Sequence, residues 1–427
     1  MKNTPRILLV AEHASAKFGG EAALALHYYR VLRARGAQVW LVAHERTRAE
    51  LTALFPDDAG SLFFVADTKW HRLLWRVGQK LPTRLANFST GFVMRVLSQL
   101  AQRKLIKQLV QDKGITVIHQ PMPVSPKEPS LIYGLGAPVI IGPMNGGMDY
   151  PPAFKGMQSR LGLVTLWLGR KAANGMNLLM PGKRKAALLL VANQRTQQAL
   201  PSCLKNVRVE QLVENGVDLS LWKDVTRTNT CGTMDTTHFV FLGRLIALKA
   251  VDLLLHAFAQ AARHAPMSLL IVGDGVERQT LERLASELGL AGAARQAGKV
   301  HFAGWLPQES CAAVLQESDA LVLPSLHECG GAVVLEAMAM AMPAIATNWG
   351  GPADYLDSAC GILVDPTSRD GFVDGLRDAL LTLAKQPELR VAMGRVGRQK
   401  IIDHFDWEVK VDRILEIYQQ VQETKIW

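Results

Sequence analysis

The feature that most constrains this chain is a recurring unit: a short apolar run, a turn rich in polar residues or glycine, then an amphipathic helical stretch. In the first half, Arg6–Glu12, Gln38–Ala43, Thr116–His119 and Pro138–Ile141 are such runs, and Glu21–Arg35 is a helical stretch closed by Gly36. In the second half the runs are His238–Gly243, Ser268–Gly273, Val300–Gly304, Ala320–Pro324, Pro343–Thr347 and Gly361–Val364, with helical stretches at Ala250–Arg263 and Glu277–Gly289 between them. Apolar runs without strict alternation are buried on both faces, as parallel strands covered by helices are. The pattern predicts an α/β protein of two Rossmann-like, doubly wound parallel-sheet domains facing a central cleft. Their boundary falls near Asn215–Leu221, giving domains over 1–214 and 215–402. The remainder, 403–427, holds an amphipathic helix, Asp406–Val421, with Trp407, Val411, Ile414, Leu415 and Tyr418 on its apolar side.

Charge divides the chain at the same place. Residues 1–218 carry 29 Lys and Arg against 13 Asp and Glu, whereas residues 219–427 carry 19 against 25. Positive charge concentrates in Lys69–Lys113, where ten cations meet one acid, Asp112, and between Asp149 and Glu210, where there is no acid. Trp70, Leu73, Leu74, Trp75, Leu81, Leu85 and Phe92 interleave with the first set, and Leu166, Trp167, Leu168, Leu178 and Leu179 with the second. Such stretches suit an anionic membrane surface, or they are ordinary amphipathic helices whose cations reach over apolar surface. No stretch reaches the length of about 18 apolar residues that a spanning helix needs. The N-terminal run Ile7–Ala11 is short and followed by Glu12 and His13, so it reads as a first strand rather than an export signal. Five cysteines (Cys203, Cys231, Cys311, Cys329 and Cys360) show no paired spacing. A reducing, cytoplasmic setting is expected, with peripheral attachment to the inner face of a membrane as an extension.

Three constellations can carry chemistry. After the strand Ala320–Leu323 comes Pro324-Ser325-Leu326-His327-Glu328-Cys329-Gly330-Gly331, opening an apolar helix that contains Glu336. Amides free at a helix start meet anions or hydroxyls, and an ionised carboxylate accepts two hydrogen bonds from vicinal hydroxyls. The plainer alternative is a helix-end acid at Glu328 and a solvated Glu336. The second is Gly243-Arg244 at a strand end, with Lys249 five residues on: a planar fork and a point charge suited to a diphosphate, or two solvated cations. The third is Gly19-Gly20-Glu21, where backbone can approach a ligand at a helix start, or simply turn. Its spacing is not that of a dinucleotide fingerprint.

In order and spacing these motifs resemble the retaining glycosyltransferases of the GT-B fold, glycosyltransferase family 4, across nearly the whole chain. The further matches are Asn215-Gly216-Val217-Asp218, Gly273-Asp274-Gly275, Val300–Gly304 and Gly361–Asp365. The resemblance implies an acceptor-binding domain over 1–214, a nucleotide-sugar-binding domain over 215–402, and a closing segment, 403–427, that crosses back onto the first. It implies that Arg244 and Lys249, with Gly243, hold the donor diphosphate, met by amides around Gly19 and Gly20. Glu336 would bind the ribose hydroxyls. Glu328, with the amides of Gly331, Ala332 and Val333, would orient the sugar, and Gly304, Trp305 and Leu306 would border the base. The chain departs from the family at Gly330, where an aromatic is usual, at Ala250, where glycine is usual, and at Pro121, where a second histidine often follows. His119 is therefore either a catalytic residue or a packed strand-end histidine.

The activity so implied is transfer of a hexose-type sugar from a nucleotide diphosphate sugar to a lipid-linked or saccharide acceptor, with no cofactor and no metal; the chain has no Asp-x-Asp pair. The alternatives are a nucleotide-sugar epimerase of the same fold and a basic nucleic-acid-binding protein. The latter lacks a recognised motif, and the acidic second half interrupts any continuous basic track.

Overall fold

The structure, a computed structural model, describes residues 4–81, 86–157, 160–223 and 236–424, without the side chains of 87, 88, 160–168 and 170. Leu85, Cys231 and the side chains of Leu166, Trp167 and Leu168, named above, lie outside the described residues. The chain divides into two compact units. One comprises Met1–Gly147, Leu161–Glu214 and Lys410–Trp427, and the other Met148–Arg160 and Asn215–Val409. Residues 148–160, which sequence reading keeps with the first domain, thus pack with the second unit.

The first unit is built on seven parallel strands in the order β3-β2-β1-β4-β5-β6-β7. They are β1 (Ile7–Val10), β2 (Val39–His44), β3 (Leu62–Val65), β4 (Val117–Gln120), β5 (Val139–Met144), β6 (Leu188–Val191) and β7 (Val209–Gln211). Ile7 to Val10 and Leu188 to Val191 have no exposed surface, as strands covered on both faces must. Burying each such side chain contributes roughly 1.5–3 kcal/mol. The final helix, Trp407–Glu423, belongs to this unit from Lys410 onward and buries Val411, Ile414, Ile417, Tyr418 and Val421. Leu415, expected on its apolar side, is only half-buried, and Ile417 takes its place in the core.

The second unit is built on six parallel strands in the order β10-β9-β8-β11-β12-β13. These are β8 (Thr237–Leu242), β9 (Met267–Val272), β10 (Val300–Gly304), β11 (Ala320–Leu323), β12 (Ala344–Thr347) and β13 (Gly361–Val364). In each sheet the winding reverses once, at β1/β4 in the first and β8/β11 in the second. Loops beyond the carboxyl ends of the strands diverge there and leave a crevice, where open α/β sheets bind ligands. The cysteines described, Cys203, Cys311, Cys329 and Cys360, are all free thiols. Among the described residues no helix is long and apolar enough to cross a membrane.

Candidate active site

In the second unit the loops beyond β8, β9 and β10 are joined backbone to backbone. Gly243 N–H donates to Val272 O at 3.0 Å, Leu245 N–H to Asp274 O at 2.9 Å, and Gly273 N–H to Gly304 O at 2.8 Å. This contact dictates the glycine at 273: its φ is +140°, and a Cβ there would lie 1.9 Å from Gly243 O. The loop after β8 is fastened across the switch point to the loop after β11 by Leu326 N–H to Leu248 O at 2.9 Å. The β11 loop is held in turn from β12, where Gly351 N–H donates to Glu328 O at 2.8 Å.

On this frame Lys249 and Glu328 meet: the Lys249 ammonium forms an ion pair with Glu328 Oε2, and both side chains are largely buried, at 13% and 17% exposed. The two residues are 79 positions apart in sequence. Arg244, one residue beyond Gly243, is exposed, and its guanidinium has no partner among the described residues. Glu336 lies on the helix Ala332–Ala339, between buried Leu335 and Ala337. It keeps part of its surface open, yet protein surrounds it closely enough that burial pushes its carboxyl up to about 7. No donor among the described residues satisfies it. A carboxylate held in protein without a donor suits a ligand that brings its own hydroxyls.

The remaining expected residues of this unit lie at its strand and helix ends. Gly331 starts the Glu336 helix at φ +74°, so Ala332 and Val333 stand in its first turn, where amides lack intrahelical acceptors. Gly304 is buried, whereas Trp305 is 73% exposed. A contact that sequence reading missed lies at Leu306. Cys311 Sγ donates to Leu306 O at 3.7 Å, and its thiol is held above its ordinary value by burial and by the charge of Glu336. Also unforeseen is the cover from residues 148–160: the Tyr150 and His327 rings lie 5.0 Å apart, and Trp349 Nε1–H donates to Asp149 O at 2.8 Å.

In the first unit, Gly19 adopts φ +91° ahead of the helix Gly20–Ala34, and no atom lies within 4 Å of the Cβ positions of Gly19 or Gly20. The backbone there is open to a ligand. His119 is a different matter. It has no exposed surface, its Nδ1 lies 2.7 Å from Tyr418 Oη, and its Nε2 lies 2.6 Å from Gly142 O. The neutral ring donates from Nε2 to the carbonyl and accepts at Nδ1 from the phenol. Burial lowers its pKa to about 4, against the carbonyl contact that raises it. The catalytic reading of His119 is corrected accordingly: both nitrogens are used in fastening β4 and β5 to the last helix, and neither is free for a substrate. Among the described residues no group of three or more His, Cys, Asp or Glu is arranged to hold a metal ion.

The second unit, by its strand order, is a doubly wound parallel-sheet α/β domain. Residues 233–400 match the family described as glycosyl transferases group 1. A GDP-mannose-dependent alpha-(1-6)-phosphatidylinositol monomannoside mannosyltransferase of Mycolicibacterium smegmatis is 32% identical over 203 residues, 45% of this chain and 50% of that protein. The lipopolysaccharide core biosynthesis glycosyltransferase LpsE of Rhizobium meliloti is 30% identical over 177 residues, 41% of this chain and 48% of that protein. The chain spans about half the length of these two relatives. Among solved structures, a glycosyltransferase from Rickettsia africae superposes with a TM-score of 0.66 at 15% identity, over 99% of this chain and 100% of that one. HepE of Anabaena, solved in complex with UDP-glucose, gives 0.59 at 16% identity, over 98% of each chain. The fold is GT-B.

Proposed function

We propose that this chain is a retaining, metal-independent glycosyltransferase of family 4. It moves a hexose-type sugar from a nucleotide diphosphate sugar to a lipid-linked or saccharide acceptor, in bacterial polysaccharide or glycolipid assembly on the cytoplasmic side of a membrane. The observation that carries this reading is the ion pair of Lys249 with Glu328 at the β8/β11 switch point, with Arg244 exposed in the same loop after β8 and Glu336 on the helix after the β11 loop.

The hard step is departure of the nucleotide diphosphate while positive charge grows on the sugar. Arg244 and Lys249 supply fixed charge to the leaving group. Glu336 takes the ribose hydroxyls, and Glu328, with the amides at the start of its helix, orients the sugar. The bond from the anomeric carbon to phosphate oxygen breaks, the bond to the acceptor oxygen forms on the same face, and the departing phosphate takes the acceptor proton. His119 has no part in this scheme.

Support for a nucleotide diphosphate donor comes from two similar proteins: the mycobacterial relative is GDP-mannose-dependent, and the Anabaena protein is solved in complex with UDP-glucose. The membrane partner is supported by the helix Lys69–Gly78. There Trp70, Leu73 and Val77 share one face and Lys69, Arg72 and Arg76 the adjoining one, with Trp70, Leu73, Trp75 and Val77 all about half exposed or more. No nucleic-acid partner enters the scheme.

A thermal-shift panel of UDP, GDP and ADP in EDTA tests the reading. One nucleotide is expected to stabilise the protein. A flat response to all three would end the proposal, and consumption of the matching nucleotide sugar without any acceptor would point to an epimerase instead.

A further inference from the structure

The loop that carries Glu328 has no regular structure of its own. Residues 324–331, between β11 and the helix Ala332–Ala339, form neither helix nor strand. Where such a loop directs its side chains is decided by what packs on it. Two segments of the second unit do so. One is the turn 348–351 after β12. The other is residues 148–157, which stand in sequence between β5 and the helix Arg160–Leu179 and yet belong to the second unit.

The three segments converge at Gly350. This residue is buried with φ +80°, and a Cβ there would collide both with Glu328 O and with the Met148 thioether. On either side of it, Gly351 N–H donates to Glu328 O and Trp349 Nε1–H donates to Asp149 O, each at 2.8 Å. The next residue in each segment adds a ring contact. Tyr150 follows Asp149, His327 precedes Glu328, and their half-buried rings lie 5.0 Å apart, tilted by 44°. Segment 148–157 is stiff and anchored. Pro151 and Pro152 follow Tyr150 and fix their own φ. Phe154, 6% exposed, then packs edge-on against buried Phe372, with ring centroids 6.1 Å apart. Lys249 thus holds the Glu328 carboxylate, while residues 148–154 and the turn 348–351 hold its backbone and its neighbour.

We propose that Tyr150, acting through His327, and Asp149, acting through Trp349, are positioning residues for Glu328 and set how firmly the sugar of the donor is held. The proposal rests on the transferase reading above, which gives Glu328 the sugar. It separates two parts of donor binding. The contacts of Tyr150 and Asp149 fall on the Glu328 loop and the turn beside it, not on Arg244 or Glu336, to which that reading gives the diphosphate and the ribose. Loosening them therefore costs the sugar's share of the affinity and spares the nucleotide's.

Calorimetric titration of the full chain in EDTA tests it. The probes are UDP, GDP and ADP, each beside its sugar nucleotides: UDP-glucose, UDP-galactose, UDP-N-acetylglucosamine, GDP-mannose and ADP-glucose. The quantity read is the ratio of affinities, sugar nucleotide over bare nucleotide, with each protein's melting temperature taken alongside. Tyr150→Ala is expected to lower that ratio by about three- to tenfold, the scale of one aromatic contact, with the affinity for the bare nucleotide unchanged. Tyr150→Phe keeps the ring and should restore the parent's ratio. Trp349→Phe removes the N–H that holds Asp149 O and should lower the ratio as Tyr150→Ala does; it carries the test if Tyr150→Ala does not fold. A general loosening of the fold would weaken both ligands together and leave the ratio where it was. A ratio unmoved in Tyr150→Ala and Trp349→Phe, equal losses for nucleotide and sugar nucleotide, or a parent that binds a nucleotide and none of its sugar nucleotides would overturn this inference and leave the nucleotide site standing. A parent that binds no nucleotide at all would sink the transferase reading and this inference with it.

Discussion

Glu336→Gln should make this protein more stable and a poorer binder of nucleotide, and the gain in stability should depend on pH. Burial raises the Glu336 carboxyl from 4.5 to about 7. A folded-state pKa above the unfolded one means that the folded protein holds the proton more tightly. Stability therefore falls as pH rises from about 4.5 to about 7, and above 7 the whole penalty is present. A displacement of that size corresponds to about 3 kcal/mol. The side chain keeps part of its surface in solvent, so about 2 kcal/mol is the expected net effect. Glutamine has the same shape and no titration, so it removes the penalty at pH 8 and changes little at pH 5. For a unit of this size, about 2–4 °C accompanies each kcal/mol, which places the gain at about 4–8 °C at pH 8. Scanning calorimetry of both proteins at pH 5 and pH 8 reads it. Affinity for the responding nucleotide should fall by about tenfold to a hundredfold, the scale of a hydrogen bond to a charged group. A glutamine variant that melts with the parent at both pH values, or is shifted equally at both, would refute the burial argument. A variant that gains stability yet binds nucleotide unchanged would remove Glu336 from the ribose.

Three other outcomes follow from the geometry. Arg244→Ala should lower turnover by about 10²–10³, the effect of losing one preorganised group at the leaving-group charge, with little change in melting temperature, because the side chain is exposed and has no partner among the described residues. Tyr418→Phe strips His119 Nδ1 of its donor and should destabilise the first unit by about 1–3 kcal/mol in urea denaturation, with turnover per folded molecule unchanged; a selective loss of turnover would restore His119 to catalysis. Replacing Trp70 and Trp75 together by alanine should weaken sedimentation with anionic liposomes and leave sedimentation with neutral ones as it was; equal binding by variant and parent would dismiss the helix Lys69–Gly78 as the membrane face.

The second unit was more legible in sequence than the first, for physical reasons. Its strands β8 to β13 are apolar runs ended by glycine, proline or a polar residue, so period and punctuation agree. Its candidate ligands sit within a few residues of those strand ends, where short-range spacing is informative. In the first unit, Leu62–Val65 and Leu188–Val191 are four-residue apolar runs that resemble fragments of their surroundings, and Val209–Gln211 is a polar edge strand. None was foreseen. The cover over the Glu328 loop escaped because Asp149 and Trp349 lie 200 positions apart. His119 stayed ambiguous because its partner, Tyr418, lies 299 positions away. Glu336 and Glu328 were visible as a spaced pair, but the ion pair that occupies Glu328 needed the backbone contact between Leu326 and Leu248 to bring Lys249 within reach.

The most direct test is calorimetric titration of the responding nucleoside diphosphate into the parent protein and into Arg244→Ala, both in EDTA. A second-unit site built on Arg244 predicts measurable affinity for the parent and a loss of tenfold or more in the variant. Equal affinity in the two proteins, or no heat of binding from any nucleotide, would contradict it.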